Sequence, residues 1–198
     1  MRDMHCHILP GVDDGSPDME TSLVMLDAAK QAGVTSIVCT PHVRSPYFKD
    51  LDVLRDAYRR FKEAAGGFPI TMGFEGTGEF LLELDTRCTE ADFQDYERTI
   101  FALQGMGYDV IIAHPERYRA IQQNTEIARN LLRMGCKLQA SADFIAGGRM
   151  GREKKPAQKM FDQLLYRYIA SDAHKPEHYA LLAKAVAEYP TRGAHMRV

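Results

Sequence analysis

Histidines placed at the ends of short apolar runs constrain this chain more than any other feature. His5 and His7 open it as His-Cys-His, and Thr40-Pro41-His42, Ala113-His114-Pro115-Glu116-Arg117 and Ser171-Asp172-Ala173-His174 follow downstream. Each set comes after a run that reads as a β-strand, and stretches of helical spacing lie between the runs. Strands that alternate with helices pair in parallel through crossovers, and about seven of them suggest a barrel more than an open sheet. Side chains at the carboxyl ends of barrel strands gather at one mouth, so the expected fold is a single α/β barrel carrying its chemistry there.

The chain divides readily into elements. A strand near Arg2–Met4 precedes a helix with Ser16 as N-cap, Pro17 at its first position and a stop at Gly33, with Met19, Leu23, Leu26 and Ala29 or Lys30 on one face. Val34–Thr40, Pro69–Met72, Phe80–Leu84, Asp109–Ala113, Lys137–Ala140 and Tyr166–Ala170 read as further strands. Helices are expected near 52–65, 90–103, 125–134 and 156–165. No linker, repeat or low-complexity tract splits the sequence, which implies one domain.

Composition excludes several classes. A net charge of -2 provides no basic field for nucleic acid. No apolar stretch approaches the roughly 20 residues of a membrane span, and the start lacks the apolar segment of a signal peptide. A cytoplasmic protein is expected. The cysteines Cys6, Cys39, Cys88 and Cys136 form no CxxC pair and read as reduced structural thiols. None has an arginine at the spacing of a cysteine-phosphatase loop; Cys39 and Arg44 miss it by one residue. Gly147-Gly148-Arg149-Met150-Gly151 lacks the lysine and hydroxyl of a P-loop and reads as a mobile loop beside the site. The charges around Arg55, Arg59, Arg60 and Lys62 read as a solvated helix face.

Imidazoles and carboxylates crowded together are costly without a cation, because the acids repel and buried histidines lose hydration. His5, His7, His42, Glu83, His114, Asp172 and His174 all fall at or near strand ends, and they are ligand types suited to divalent metals. A metal centre at the barrel mouth follows from that set.

These residues, with Val12-Asp13-Asp14-Gly15 and Tyr118 after Arg117, resemble the polymerase and histidinol phosphatase (PHP) superfamily. Within it they look most like the bacterial capsule-type, manganese-dependent protein-tyrosine phosphatases. The resemblance spans nearly the whole chain and implies a distorted (β/α)7 TIM-like barrel holding a three-metal cluster. By motif it assigns His5, His7, Asp14, His42, His114, Asp172 and His174 as ligands. Two glutamates of the family pattern fit Glu75 in Gly73-Phe74-Glu75 and Glu83 in Leu81-Leu82-Glu83. They stand closer together than that pattern, so residues 1–198 resemble a domain shortened between Gly73 and Glu83, either by a deletion or by residues missing from this sequence. Manganese suits donors that mix oxygen with imidazole, and iron, zinc and magnesium are alternatives.

Closely spaced divalent ions neutralise a phosphomonoester and acidify water, so no protein nucleophile is required. Arg117 is the leading candidate to clamp the phosphate and Arg44 the second, while Tyr47 could stack on an aryl phosphate. The expected activity is hydrolysis of phosphotyrosine in proteins, linked to capsule or exopolysaccharide regulation, with a capsule-type tyrosine kinase as candidate partner. The alternatives are a small-molecule phosphoesterase such as a histidinol-phosphate phosphatase, and a non-catalytic barrel that binds a phosphorylated ligand.

Overall fold

A computed structural model describes residues 1–44, 46–47, 50–73 and 78–189 of the chain. Among them, a first compact unit takes residues 1–73 and 170–184, and a second takes 78–169 and 185–189. The fold is mixed α/β, and the seven strands among the described residues fall into two sheets of three and four.

In the first unit β1 (Arg2–Cys6), β2 (Ser36–Cys39) and β3 (Ile70–Met72) lie parallel in that order. The helices α1 (Met19–Gln31) and α2 (Leu51–Ala64) supply the connections that parallel pairing demands. Ser22, Met25, Leu26 and Ala29 form the buried stripe of α1, while Met19 and Leu23 are half-covered and Lys30 is exposed. Asp18 caps α1 by accepting from the Thr21 N–H, not Ser16 as the Ser-Pro pair suggests. Ser16 instead donates its N–H to the His7 carbonyl, and its hydroxyl bonds the Asp18 carbonyl and Ser22. In α2, Asp50 is the cap and Leu54, Ala57 and Phe61 are buried. The basic residues of that helix are solvated, as expected, with Arg59 and Arg60 paired to the exposed Asp56.

The chain returns to the first unit after its last strand. There Ser171 donates its N–H and hydroxyl to the fully buried Asp3 carboxylate at 2.9 and 2.6 Å. Asp172 N–H then donates to the His5 carbonyl and His7 N–H to the Ala173 carbonyl, laying 171–173 alongside β1. A bulge between Asp3 and Cys6 interrupts the β1–β2 ladder just where His5 stands, and bulges of this kind re-aim side chains.

In the second unit β4 (Glu79–Leu82), β5 (Asp109–Ala113), β6 (Lys137–Ser141) and β7 (Tyr168–Ala170) follow one another across the sheet. Val110, Ile111, Ile112 and Ala113 are all buried, the continuous apolar pattern of a parallel strand covered on both faces. Its helices are α3 (Phe93–Gly105), α4 (Arg119–Gln123), α5 (Glu126–Arg133) and α6 (Lys154–Asp162), and α7 (His178–Glu188) completes the element order. Four elements escape the sequence reading: α4, α7 and the 3-10 turns at Pro115–Arg117 and Ala142–Ala146. The last strand starts two residues later than its apolar run, because the Tyr166 hydroxyl is drawn to Glu116 at 2.7 Å. In the glycine-rich segment the buried Glu153 carboxylate accepts from the Met150 and Arg152 N–H groups.

Tyr118 ties the ends of two strands together. Its buried hydroxyl donates to the Ala113 carbonyl at 2.6 Å and accepts from the Leu84 N–H at 3.0 Å. Tyr118→Phe leaves both main-chain groups buried without that partner, and a loss of about 1–3 kcal/mol is expected. Urea denaturation checks it; an unchanged midpoint would show that the hydroxyl contributes nothing.

Candidate metal centre

In the first unit the expected histidines converge. His7, Asp14, His42 and His174 each offer one ligand atom, and these atoms lie within 4.8 Å of one another. Asp14 Oδ1 is 3.4 Å from both His42 Nε2 and His174 Nε2, and the His7 ring stacks on that of His174 at 4.1 Å. On the far side of His7, its Nε2 is 3.2 Å from His5 Nε2 and 3.4 Å from Asp172 Oδ1, which in turn is 3.2 Å from His5. Donors about 2.0–2.2 Å from one divalent ion are themselves roughly 3–3.5 Å apart, so these separations match single coordination spheres.

The local chain explains the convergence. His5 and His7 alternate along one strand and its extension and share a face. His42 lies three residues beyond β2, and Asp172 and His174 are set against β1 by the hydrogen bonds of 171–173. The His174 Nδ1–H donates to the Asp172 carbonyl at 2.8 Å, which turns Nε2 toward Asp14. Gly15 permits the tight turn beneath His7, since a Cβ there would collide with the His7 carbonyl and its Cβ.

The electrostatics favour cations. Burial opposes a charge on His7, yet its hydrogen bonds to Asp13 and Asp172 outweigh that and raise its pKa to about 10. Burial likewise opposes charge on Asp13, and the bond from His7 still pulls its pKa down to about 2. The carboxylates draw positive charge into the cluster, as a proton on imidazole or as a bound ion. Cys6, between the two first histidines, is a buried thiol whose pKa burial drives well above its ordinary value. The four cysteines are free and buried, as the sequence suggests.

The second unit brings together another predicted pair. Glu83, one residue past β4, has Oε1 3.0 Å from Nε2 of His114, one residue past β5. Arg117 is only 5% exposed, and its Nη2 donates to Ser141 Oγ and Asp143 Oδ2, each at 2.9 Å. Its neighbour Glu116 is wholly buried, accepting from the Ser141 N–H and the Tyr166 hydroxyl. Burial raises the Glu116 pKa to about 7 despite the nearby Arg117 charge. Glu116, Ser141 and Asp143 build the seat of Arg117, a role that residue spacing does not signal.

Arg44 is exposed. Tyr47 stacks on His42 with ring centres 5.2 Å apart and its hydroxyl 3.4 Å from Asp14 Oδ2. Glu75 lies outside the described residues. Asp13 is the functional side chain that residue spacing passed over: it holds the Nδ1 of His7 at 2.7 Å, and its only signal was its place beside Asp14 in the Asp-Asp-Gly run. Gly15→Ala is expected to force the 13–16 turn away from His7 and to lower stability by about 1–3 kcal/mol. Thermal melting measures this, and an unaltered melting temperature would contradict it.

The family model for capsular polysaccharide synthesis, CpsB/CapC, matches residues 1–87 and 71–192. The putative tyrosine-protein phosphatase CapC of Staphylococcus aureus is 32% identical over 196 residues, covering 88% of this chain and 77% of its own. Tyrosine-protein phosphatase YwqE of Bacillus subtilis (strain 168) is also 32% identical, with the same coverage of 88% and 77%. A solved chain from work on YwqE of B. subtilis and CpsB of Streptococcus pneumoniae, described as unique metal-dependent tyrosine phosphatases, superposes with a TM-score of 0.79. It is 25% identical, and the match covers 98% of this chain and 89% of that one. Identity and coverage on this scale place the chain in the CpsB/CapC family.

Proposed function

We propose that this protein is a metal-dependent phosphatase that hydrolyses phosphotyrosine in proteins and takes part in regulating capsule or exopolysaccharide synthesis. The observation that carries this reading is the cage of His7, Asp14, His42 and His174, all within 4.8 Å of one another, in a chain whose relatives are named tyrosine-protein phosphatases. Three imidazoles and a carboxylate at such spacings, with His7 and His174 buried and Asp14 open to solvent, suit borderline and hard divalent ions.

The proposed ligands are His5, His7, Asp14, His42, Glu83, His114, Asp172 and His174, with Glu75 as a further candidate; three manganese ions are the proposed complement. When bound, such ions supply neutralisation of phosphoryl oxygens and acidification of water. The chain's own part is to hold the donors in place and to present Arg117. Asp143 and Ser141 lock one end of that guanidinium, which reduces the entropy lost when its other N–H groups meet a phosphate. Arg44 is proposed as a more exposed cation for the same anion, and Tyr47, already stacked on His42, as a platform for an aryl leaving group.

The architecture proposed is a distorted (β/α)7 barrel, a reading supported by strands that follow chain order within each sheet among the described residues and by the likeness to the solved relative. It is proposed as one domain shortened between Gly73 and Glu83, a reading supported by the doubled family match over residues 71–87. Among the described residues no helix is long and apolar enough to cross a membrane; a cytoplasmic location and a capsule-type tyrosine kinase as substrate are proposed.

Hydrolysis of a phosphotyrosine peptide and of histidinol phosphate, with and without manganese, tests the function in wild type and His42→Ala. Manganese-dependent turnover of the peptide is expected. The variant should lose more than the roughly 10–100-fold that removal of a supporting residue costs. Preference for histidinol phosphate would move the assignment to a metabolite phosphatase, and binding without turnover to a phospho-ligand receptor. Arg117→Lys should raise KM for the phosphopeptide about tenfold or more, since a point charge replaces a bidentate fork; an unchanged KM would remove Arg117 from the site.

A further inference from the structure

Asp13 stands outside the proposed ligand set, yet it grips that set at two points. Its Oδ2 accepts from His7 Nδ1–H at 2.7 Å and from the His42 backbone N–H at 3.0 Å. Its Oδ1 accepts from the Gly15 N–H at 3.0 Å, closing the turn that carries Asp14. The side chain is fully covered, as is that of His7 within 1%. An imidazole whose Nδ1 donates to a carboxylate carries its proton there, leaving the lone pair of Nε2 for a cation. In His7 that Nε2 is the atom facing His5 and Asp172.

We propose that Asp13 is the positioning residue of the metal centre. It holds His7 in the Nδ1–H tautomer, fixes the backbone of His42 and closes the turn bearing Asp14, so one carboxylate sets three ligands of the same cage. The inference rests on the metal-centre reading above. Both oxygens are in use, and Oδ2 serves two donors. A carboxamide has one acceptor atom, so Asp13→Asn must turn its NH2 toward the Gly15 N–H or toward His7 and His42.

The test strips wild type and Asp13→Asn with chelator, confirms folding by circular dichroism and titrates each with manganese by calorimetry. Manganese affinity should fall about 10–100-fold in the variant. The manganese concentration giving half-maximal hydrolysis of p-nitrophenyl phosphate should rise by the same factor, with KM for the ester unchanged. Equal manganese affinities in two folded proteins would overturn the inference alone. A wild type that takes up no manganese would overturn the metal-centre reading and the inference with it. Should the variant not fold, nitrogen NMR of histidine-labelled wild type loaded with zinc decides: protonation of His7 at Nδ1 is expected, and protonation at Nε2 would refute the assignment.

Discussion

A buried imidazole with a carboxylate at each nitrogen is the condition around which the first unit is built: Asp13 meets His7 at Nδ1 and Asp172 approaches it at Nε2. Acids gathered away from water repel one another and lose hydration unless positive charge joins them. The turn beneath His7, closed by Gly15 and Ser16, and the segment docked along β1 by Asp3 both hold carboxylates against that demand. Positive charge, as a proton on His7 or as a bound ion, relieves that repulsion.

Backbone strain accompanies the same residues. His114 and Asp172 have positive φ values of 34° and 48°, a left-handed conformation that costs a side-chain-bearing residue about 1–3 kcal/mol. Each is held there by a short main-chain bond, His114 N–H to the Gln139 carbonyl at 2.7 Å and Asp172 N–H to the His5 carbonyl at 2.8 Å. Strain of this kind persists where surrounding structure over-determines it, and it places both side chains just beyond strand ends. In the second unit Arg117 is held by the Ser141 hydroxyl and the Asp143 carboxylate, and the buried Glu116 in turn accepts from the Ser141 N–H.

The sequence was most legible where one periodic signal dominates. The run Asp109–Ala113 is an intact strand because each of its last four residues is buried, and the helices centred on Met25 and Ala57 appear close to where their spacing puts them. It was least legible at boundaries, where side chains choose between local and distant partners. The Ser16 hydroxyl goes to the Asp18 carbonyl and Ser22 and not to a helix cap, and the Tyr166 hydroxyl goes to Glu116. Glu153 accepts from the backbone of the glycine-rich segment that precedes it. Those partners lie far along the chain or belong to the backbone, and composition within a window carries no trace of them.

By itself the sequence determined the alternation of strands and helices and the residue types able to bind cations, since both follow from local pattern and from donor chemistry. The resemblance of its motifs also determined the family. Only the tertiary structure decided that His7, Asp14, His42 and His174 share one cage, that Asp13 grips two of them, and that Arg117 is seated by Asp143. Those outcomes depend on hydrogen bonds between residues distant in sequence and on backbone angles that become tolerable only when the packed chain enforces them.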